Sequence, residues 1–297
     1  MELSDKVLIT GIEGFTGYHL SRYLRQKGFS VFGLSYLENQ LGAGVFKCDI
    51  TKIHQVRELI TKIKPDYIIH LAGISFTASE NIQEIYSINV GGTLNILDAC
   101  MDLAVSPKKI VLASSATVYG NQFSGVLSEE MCPKPNSHYG NSKLAMENMS
   151  KNYFEALNIV IVRPFNYTGP KQTSNFIIPK LVQHFKAREQ TIELGNIDVQ
   201  REFNDINYIV ELYHGVMLNS HRSEIVNFCS GKTYSLTKII SELEDVTGHD
   251  IKIRINKEFV RSNEIKSLCG STENLRIMLA EIPDLKPLKE TLIEMLK

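Results

Sequence analysis

No apolar run in the 297 residues approaches the roughly 20 that a membrane-crossing helix needs, and the N-terminal stretch passes straight into strand-like residues without a signal-peptide core. A cytoplasmic protein with no membrane partner is expected. Charge of one sign is missing as well. The 32 Lys and Arg stand against 33 Asp and Glu, a formal net charge of -1, so the basic excess that nucleic-acid binding draws on is absent. Nucleic acid is not an expected partner. Cysteine is sparse: Cys48, Cys100, Cys132, Cys229 and Cys269 are odd in number, far apart, and form neither a CxxC pair nor a short Cys/His spacing. They read as reduced thiols that act as small hydrophobes, and no metal is expected. No repeat of fixed period and no low-complexity tract interrupts the chain.

What is present is the composition of an ordinary folded protein, 43% hydrophobic and 22% charged. Short β-branched runs alternate with amphipathic stretches through the first half, the pattern of βαβ units around a parallel sheet. The spacing predicts strands over 6–10, 30–34, 45–48, 67–71, 109–113 and 159–163, and helices over 15–26, 53–63, 86–101 and 139–156. Beyond Pro164 the alternation loosens. The expected fold is α/β, a Rossmann-type doubly wound parallel sheet with a smaller C-terminal α/β substrate lobe. Residues 1–165 would form the dinucleotide-binding part, with 206–230 returning to it, and 166–205 with 231–297 the lobe.

The first motif, Gly11-x-x-Gly14-x-x-Gly17, follows a predicted strand and opens a predicted helix. Glycines suit such a place because the turn is tight, the backbone must approach a pyrophosphate, and the helix must pack on its strand with its amides facing the anion. A dinucleotide fingerprint usually continues with an acid at the end of the second strand, which bonds the adenine ribose. Here that stretch reads Gly33-Leu34-Ser35-Tyr36, Glu38 lies too far along, and no Arg is adjacent for a 2′-phosphate. NADH and NADPH both stay open as the cofactor.

The second motif is Tyr139-Gly-Asn-Ser-Lys143 at the start of a helix, with Ser114-Ser115 ending the preceding strand. Positions i and i+4 share a helix face, so phenol and ammonium can point into one cleft. A phenol with an ordinary pKa near ~10 needs a nearby cation to exchange protons at neutral pH, and Lys143 is the expected source. A serine hydroxyl beside it can polarise a substrate oxygen.

With both motifs in place, the chain resembles the extended short-chain dehydrogenase/reductases that modify nucleotide sugars, over essentially its whole length. The resemblance implies a catalytic set of Ser115, Tyr139 and Lys143. It implies cofactor contacts from Gly11, Gly14, Phe15, Thr16, Gly17, Leu71, Ala72, Gly73, Lys143 and Pro164, with Asp49 and Ile50 cradling adenine. Asp49 reads equally as a helix cap ahead of Thr51. Substrate contacts are implied for Ser75, Thr117, Asn166, Arg201, Arg261 and Glu264, the arginines because a diphosphate favours charge-assisted, bidentate donors. A homodimer pairing the helices over 86–101 and 139–156 is also implied.

One departure from the family's pattern bears on the reaction. Its 4,6-dehydratases carry acid and base carboxylates directly after the catalytic Ser or Thr, where this chain has Ala116 and Thr117. Proton abstraction and protonation of a leaving hydroxyl both need such groups, so dehydration is not expected. The Arg163-Pro164-Phe165-Asn166-Tyr167-Thr168-Gly169-Pro170 run and Gln172 resemble the reductases that form GDP-rhamnose. The first expectation is NAD(P)H-dependent reduction of the C4 ketone of a dTDP- or GDP-linked 4-dehydro-6-deoxyhexose, feeding a bacterial-type surface polysaccharide. The alternatives are a UDP-sugar 4-epimerase with tightly bound NAD, and a nucleotide-binding protein without catalysis.

Overall fold

The computed structural model describes residues 4–38, 42–75, 81–103, 106–121, 125–259 and 267–297. The first part runs β1 (Lys6–Thr10), α1 (Phe15–Gln26), β2 (Ser30–Ser35), β3 (Val45–Lys47), α2 (Ile53–Ile63), β4 (Tyr67–His70), α3 (Ile82–Tyr86), a π-helical turn (Ser87–Gly92), α4 (Thr93–Asp102), β5 (Lys109–Ala113), β6 (Gly125–Leu127), α5 (His138–Ser150) and β7 (Ile159–Pro164). The second adds β8 (Tyr167–Thr168), α6 (Ile177–Lys186), β9 (Thr191–Leu194), β10 (Gln200–Glu202), β11 (Asn204–Asp205), α7 (Ile206–Leu218), β12 (Glu224–Phe228), β13 (Thr233–Ser235), α8 (Leu236–Thr247), β14 (Lys252–Ile255), β15 (Ser267–Gly270), α9 (Glu273–Met278) and α10 (Leu288–Leu296).

Seven parallel strands form the main sheet in the order β12-β7-β5-β4-β1-β2-β3. Its inner strands are apolar at every position because both faces are covered. Alternate residues serve opposite cores: Val7, Ile9, Ile69, Val111, Val160 and Val162 meet α1, α7 and α9, while Leu8, Ile68, Ile110, Leu112, Ile159 and Ile161 meet α2, α4 and α5. Residues 208–218, which follow the small strand β11, belong to helix α7 and cover a face of the sheet, and β12 extends its edge beside β7. The order reverses between β1 and β4, where an open α/β sheet leaves a crevice at the carboxyl ends of its strands.

The smaller lobe is built on a four-stranded sheet, β13-β10-β15-β6, and a β9–β14 pair, packed with α6, α8 and α10 around Leu181, Phe185, Ile239, Leu243 and Leu292. Strand β6 comes from the first 165 residues, so the lobe is not made from the C-terminal segments alone.

The helix expected over 86–101 departs from simple α geometry. Between α3 and α4 the chain loosens to a π turn over Ser87–Gly92, and α5 ends at Ser150 in a short 3-10 turn rather than running to 156. The π turn carries Asn89 and the pair Gly91-Gly92, poor helix formers, and the Thr93 hydroxyl donates back to the Asn89 carbonyl at 2.8 Å.

Candidate active site

A cavity of about 630 Å³ lies over the carboxyl ends of β1, β4, β5 and β7 and reaches under the smaller lobe. One wall is the glycine turn. Gly11 has φ +66, and a Cβ there would sit 2.9 Å from the Ala72 backbone; at Gly17 it would sit 2.3 Å from the Gly11 carbonyl oxygen. A Cβ on Gly14 meets only that same oxygen, at 3.2 Å, and Gly14 lines the cavity. Two of the glycines thus serve the protein's own packing, while the third keeps backbone open toward the cavity. The first amides of α1 lack intrahelical acceptors and suit a phosphate group. Tyr167 closes this wall, its hydroxyl 2.7 Å from Thr16 Oγ1 and its ring stacked on Phe15.

At the end of β2 the Ser35 hydroxyl bonds back to Leu37, and Glu38 pairs outward with Lys47. Neither an acid nor a guanidinium is presented there among the described residues.

The opposite wall carries Ser115, Tyr139 and Lys143, which line the same cavity as the glycine turn. Ser137 caps α5 by accepting from the Gly140 amide, which sets Tyr139 in the first turn. The Ser115 hydroxyl accepts from Thr117 N at 3.2 Å and from Thr117 Oγ1 at 3.0 Å. Burial pushes the Tyr139 phenol up to about 12, and the neighbouring Ser115 hydroxyl pulls the other way. Burial likewise brings Lys143 down to about 8, opposed by the charge of Glu147. The expected lowering of the Tyr139 pKa by Lys143 is not what the structure shows. The ammonium donates to the Ala113 carbonyl at 2.8 Å, and desolvation dominates the phenol. Tyr139 is consequently protonated at neutral pH.

Leu71, Gly73, Ser75, Thr117, Pro164, Asn166 and Arg201 also line the cavity. Asp49, Ile50 and Ala72 do not. Asp49 Oδ1 accepts from Thr51 N and Thr51 Oγ1 in a turn ahead of α2, whose N-cap is Lys52 and not Asp49, and Ile50 packs beneath Gly92, where a Cβ would lie 2.5 Å from its Cδ1. Ala72 supports Gly11 from behind. Arg261 and Glu264 lie outside the described residues.

Sequence reasoning missed a buried hydrogen-bonded chain beneath the site. The Ala72 amide donates to Thr10 Oγ1, which lies 2.7 Å from His70 Nδ1; His70 Nε2 lies 2.9 Å from Thr93 Oγ1. Because the Thr93 proton goes to the Asn89 carbonyl, His70 Nε2 must be the donor and Nδ1 the acceptor from Thr10. The Asn89 side chain then holds Ile74 N and O and the Ser142 hydroxyl, which donates to the Tyr139 carbonyl. The one hint in the sequence was an Asn followed by two glycines within a predicted helix. Among the described residues no group of three or more His, Cys, Asp or Glu is placed to hold a metal ion, and no helix is long and apolar enough to cross a membrane.

The model of the NAD dependent epimerase/dehydratase family matches residues 7–229, which span the glycine turn, Ser115, Tyr139 and Lys143, and all of the main sheet but Lys6. The chain belongs to that family. It is an NAD(P)-dependent enzyme with the family's Rossmann-type core and smaller α/β lobe. It is 35% identical to GDP-6-deoxy-D-talose 4-dehydrogenase of Aggregatibacter actinomycetemcomitans over 98% of this chain and 97% of that protein. GDP-6-deoxy-D-mannose reductase of Pseudomonas aeruginosa is 28% identical, with 92% and 90% covered. UDP-glucose 4-epimerase of Halalkalibacterium halodurans is also 28% identical, with 97% and 93% covered. Among solved structures, a putative epimerase from Burkholderia cenocepacia superposes with a TM-score of 0.94 at 36% identity, covering 100% of this chain and 98% of that one. RMD from Pseudomonas aeruginosa, complexed with NADPH, superposes at 0.87 and 26% identity, with 99% and 97% covered.

Proposed function

We propose that this enzyme works on the C4 position of a nucleotide-linked hexose, with Tyr139 moving the proton at O4. The observation that carries this is the convergence of Ser115, Tyr139 and Lys143 on a cavity walled by the glycine turn on one side and by Asn166 and Arg201 on the other. A bound dinucleotide supplies or accepts the hydride. For reduction, Tyr139, kept protonated by burial, donates to the sugar oxygen; for oxidation of a C4 hydroxyl, the first half of an epimerisation, its deprotonated form takes the O4 proton as the hydride leaves, and returns it when the hydride comes back. The Ser115 hydroxyl bonds the same oxygen. Lys143, held at the Ala113 carbonyl, brings positive charge to that end of the cleft, and Asn166 and Arg201 bind the substrate diphosphate.

Two readings share this chemistry. Epimerisation at C4, returning the hydride to the opposite face, has the broader support, from the likeness to a UDP-glucose 4-epimerase over 97% of the chain and to the putative Burkholderia epimerase. Net reduction of a 4-dehydro-6-deoxyhexose is supported by the similarity to the GDP-6-deoxy-D-talose 4-dehydrogenase and the GDP-6-deoxy-D-mannose reductase, both nearly full-length. The likeness to RMD with NADPH favours NADPH for the reduction, whereas an epimerase would retain NAD through its cycle.

One pair of assays separates them. The protein is mixed with GDP- and dTDP-4-dehydro-6-deoxyhexoses and either reduced cofactor, whose absorbance is followed. It is mixed separately with UDP-glucose and UDP-galactose without added cofactor, and the products are resolved by chromatography. Stoichiometric cofactor consumption establishes the reductase, and interconversion without consumption the epimerase. Neither change in any arm overturns the C4 reading.

A further inference from the structure

Two consecutive residues at the end of β5 each hold one residue of a single stripe on α5, and the next, Ser115, lines the cavity with that stripe's Tyr139. The Ala113 carbonyl accepts from Lys143 at 2.8 Å, and the Ser114 hydroxyl donates to Glu147 Oε1 at 2.5 Å. Tyr139, Lys143 and Glu147 follow at intervals of four, so they lie one above another on the helix face turned to the strand end. The first of these contacts belongs to the candidate catalytic set. The second has no reacting group, yet it is the more elaborately built.

Glu147 is fully buried and Arg163, on β7, is 2% exposed. Arg163 Nε donates to Glu147 Oε1 at 2.9 Å and its NH2 to Oε2 at 2.6 Å, a bidentate pair. The remaining guanidinium nitrogen donates to the Tyr119 hydroxyl at 3.0 Å, which donates to Asn227 Oδ1 on β12 at 2.7 Å. The carboxylate is thus pinned from β7 and β12 before it accepts from Ser114. A buried ion pair is weak evidence for stability, since its desolvation cost can match its attraction and apolar residues could fill the same space. Its placement one turn beyond Lys143 and one bond from the residue preceding Ser115 points to a different use.

We propose that Glu147 is a positioning residue, which clamps the Ser114–Ser115 turn onto α5 and faces Lys143 with negative charge. The inference rests on Ser115, Tyr139 and Lys143 as the working set of the site. Held by Arg163, Glu147 sets the height of the serine turn against the helix, and so the distance at which Ser115 and Tyr139 share a substrate oxygen. Among the described residues, the titratable and charged groups around Lys143 are Tyr139 and Glu147 on its own helix, His70 on β4 and, across the carboxylate, Arg163 on β7. His70 is neutral, so Glu147 is the charged group among these that favours the ammonium.

Two measurements test this, and the first needs no sugar substrate. Dinucleotide binding is followed by calorimetry between about pH 6 and pH 9.5 in the wild type, in Lys143→Met and in Glu147→Gln. The wild type is expected to lose affinity as Lys143 gives up its proton, and Lys143→Met to show no such break. In Glu147→Gln the break should fall at lower pH by about half a unit or more. An unmoved break, or a wild type without one, overturns the proposal whatever the sugar substrate proves to be. The second uses Ser114→Ala, which leaves the ion pair intact, and Ser114→Thr, which restores the hydroxyl. With the sugar nucleotide identified above, Ser114→Ala should lower kcat about tenfold or more with KM within about threefold, and Ser114→Thr should recover most of the loss. Ser114→Ala with wild-type kcat, or with a loss explained by a lowered folded fraction in circular dichroism, overturns the positioning role.

Discussion

Acid should unfold this protein partly through His70, and the size of the effect follows from its surroundings. The ring is buried between Thr10 and Thr93, accepting from one and donating to the other, with no carboxylate among the described residues bonded to it. Burial and the charge of Lys143 bring its pKa from 6.5 down to about 3. Because the folded value is depressed, the stabilisation is fully present above the unfolded value and is lost as pH falls from about 6.5 toward 3. In that window the unfolded chain takes up a proton that the folded ring refuses. Between about pH 7 and pH 4.5 the linkage amounts to about 2.5 kcal/mol. The perturbation is His70→Gln, which breaks part of the hydrogen-bonded chain but removes the titration. Unfolding in urea at a series of pH values would give both stabilities. The variant should be the weaker near neutrality, and the gap should narrow by about 2.5 kcal/mol by about pH 4.5. Parallel stability curves would refute the reasoning, because they would mean that His70 titrates alike in the folded and unfolded chains.

Tyr139→Phe should fold as the wild type does and lose turnover by about a hundredfold or more, since the ring's packing stays and the proton donor goes; kinetics alongside a melting curve checks both. The glycines should separate by readout. Gly17→Ala forces a Cβ to 2.3 Å from the Gly11 oxygen and should cost about 1–3 kcal/mol of stability in urea. Gly14→Val should leave stability nearly intact and weaken dinucleotide binding in calorimetry by about tenfold or more, because its open side faces the cavity. With Ala116 and Thr117 after Ser115, the wild type should form no 4-dehydro-6-deoxy product from GDP-mannose or dTDP-glucose with NAD, as read by mass spectrometry.

The sequence by itself determined the features that rest on local periodicity and local turns. Unbroken apolar runs such as Val7-Leu8-Ile9 and Ile159–Val162 can be satisfied only in a sheet covered on both faces, which makes it parallel and doubly wound. Gly11 and Gly17 are required by contacts within a few residues or with the adjacent strand, and Tyr139 and Lys143 share a face because the helix repeats every 3.6 residues. What only the tertiary structure decided are the contacts between segments far apart in the chain. His70 and Asn89 read as a strand end and a helix position until β1, β4 and the π turn bring Thr10, Thr93 and Ser142 to them. Glu147 reads as one more polar helix residue until Arg163 and Ser114 close on it. The protonation of Tyr139 belongs to the same class. The local spacing suggested that Lys143 would govern it, but burial in the folded chain, which no local spacing contains, outweighs the neighbouring charge.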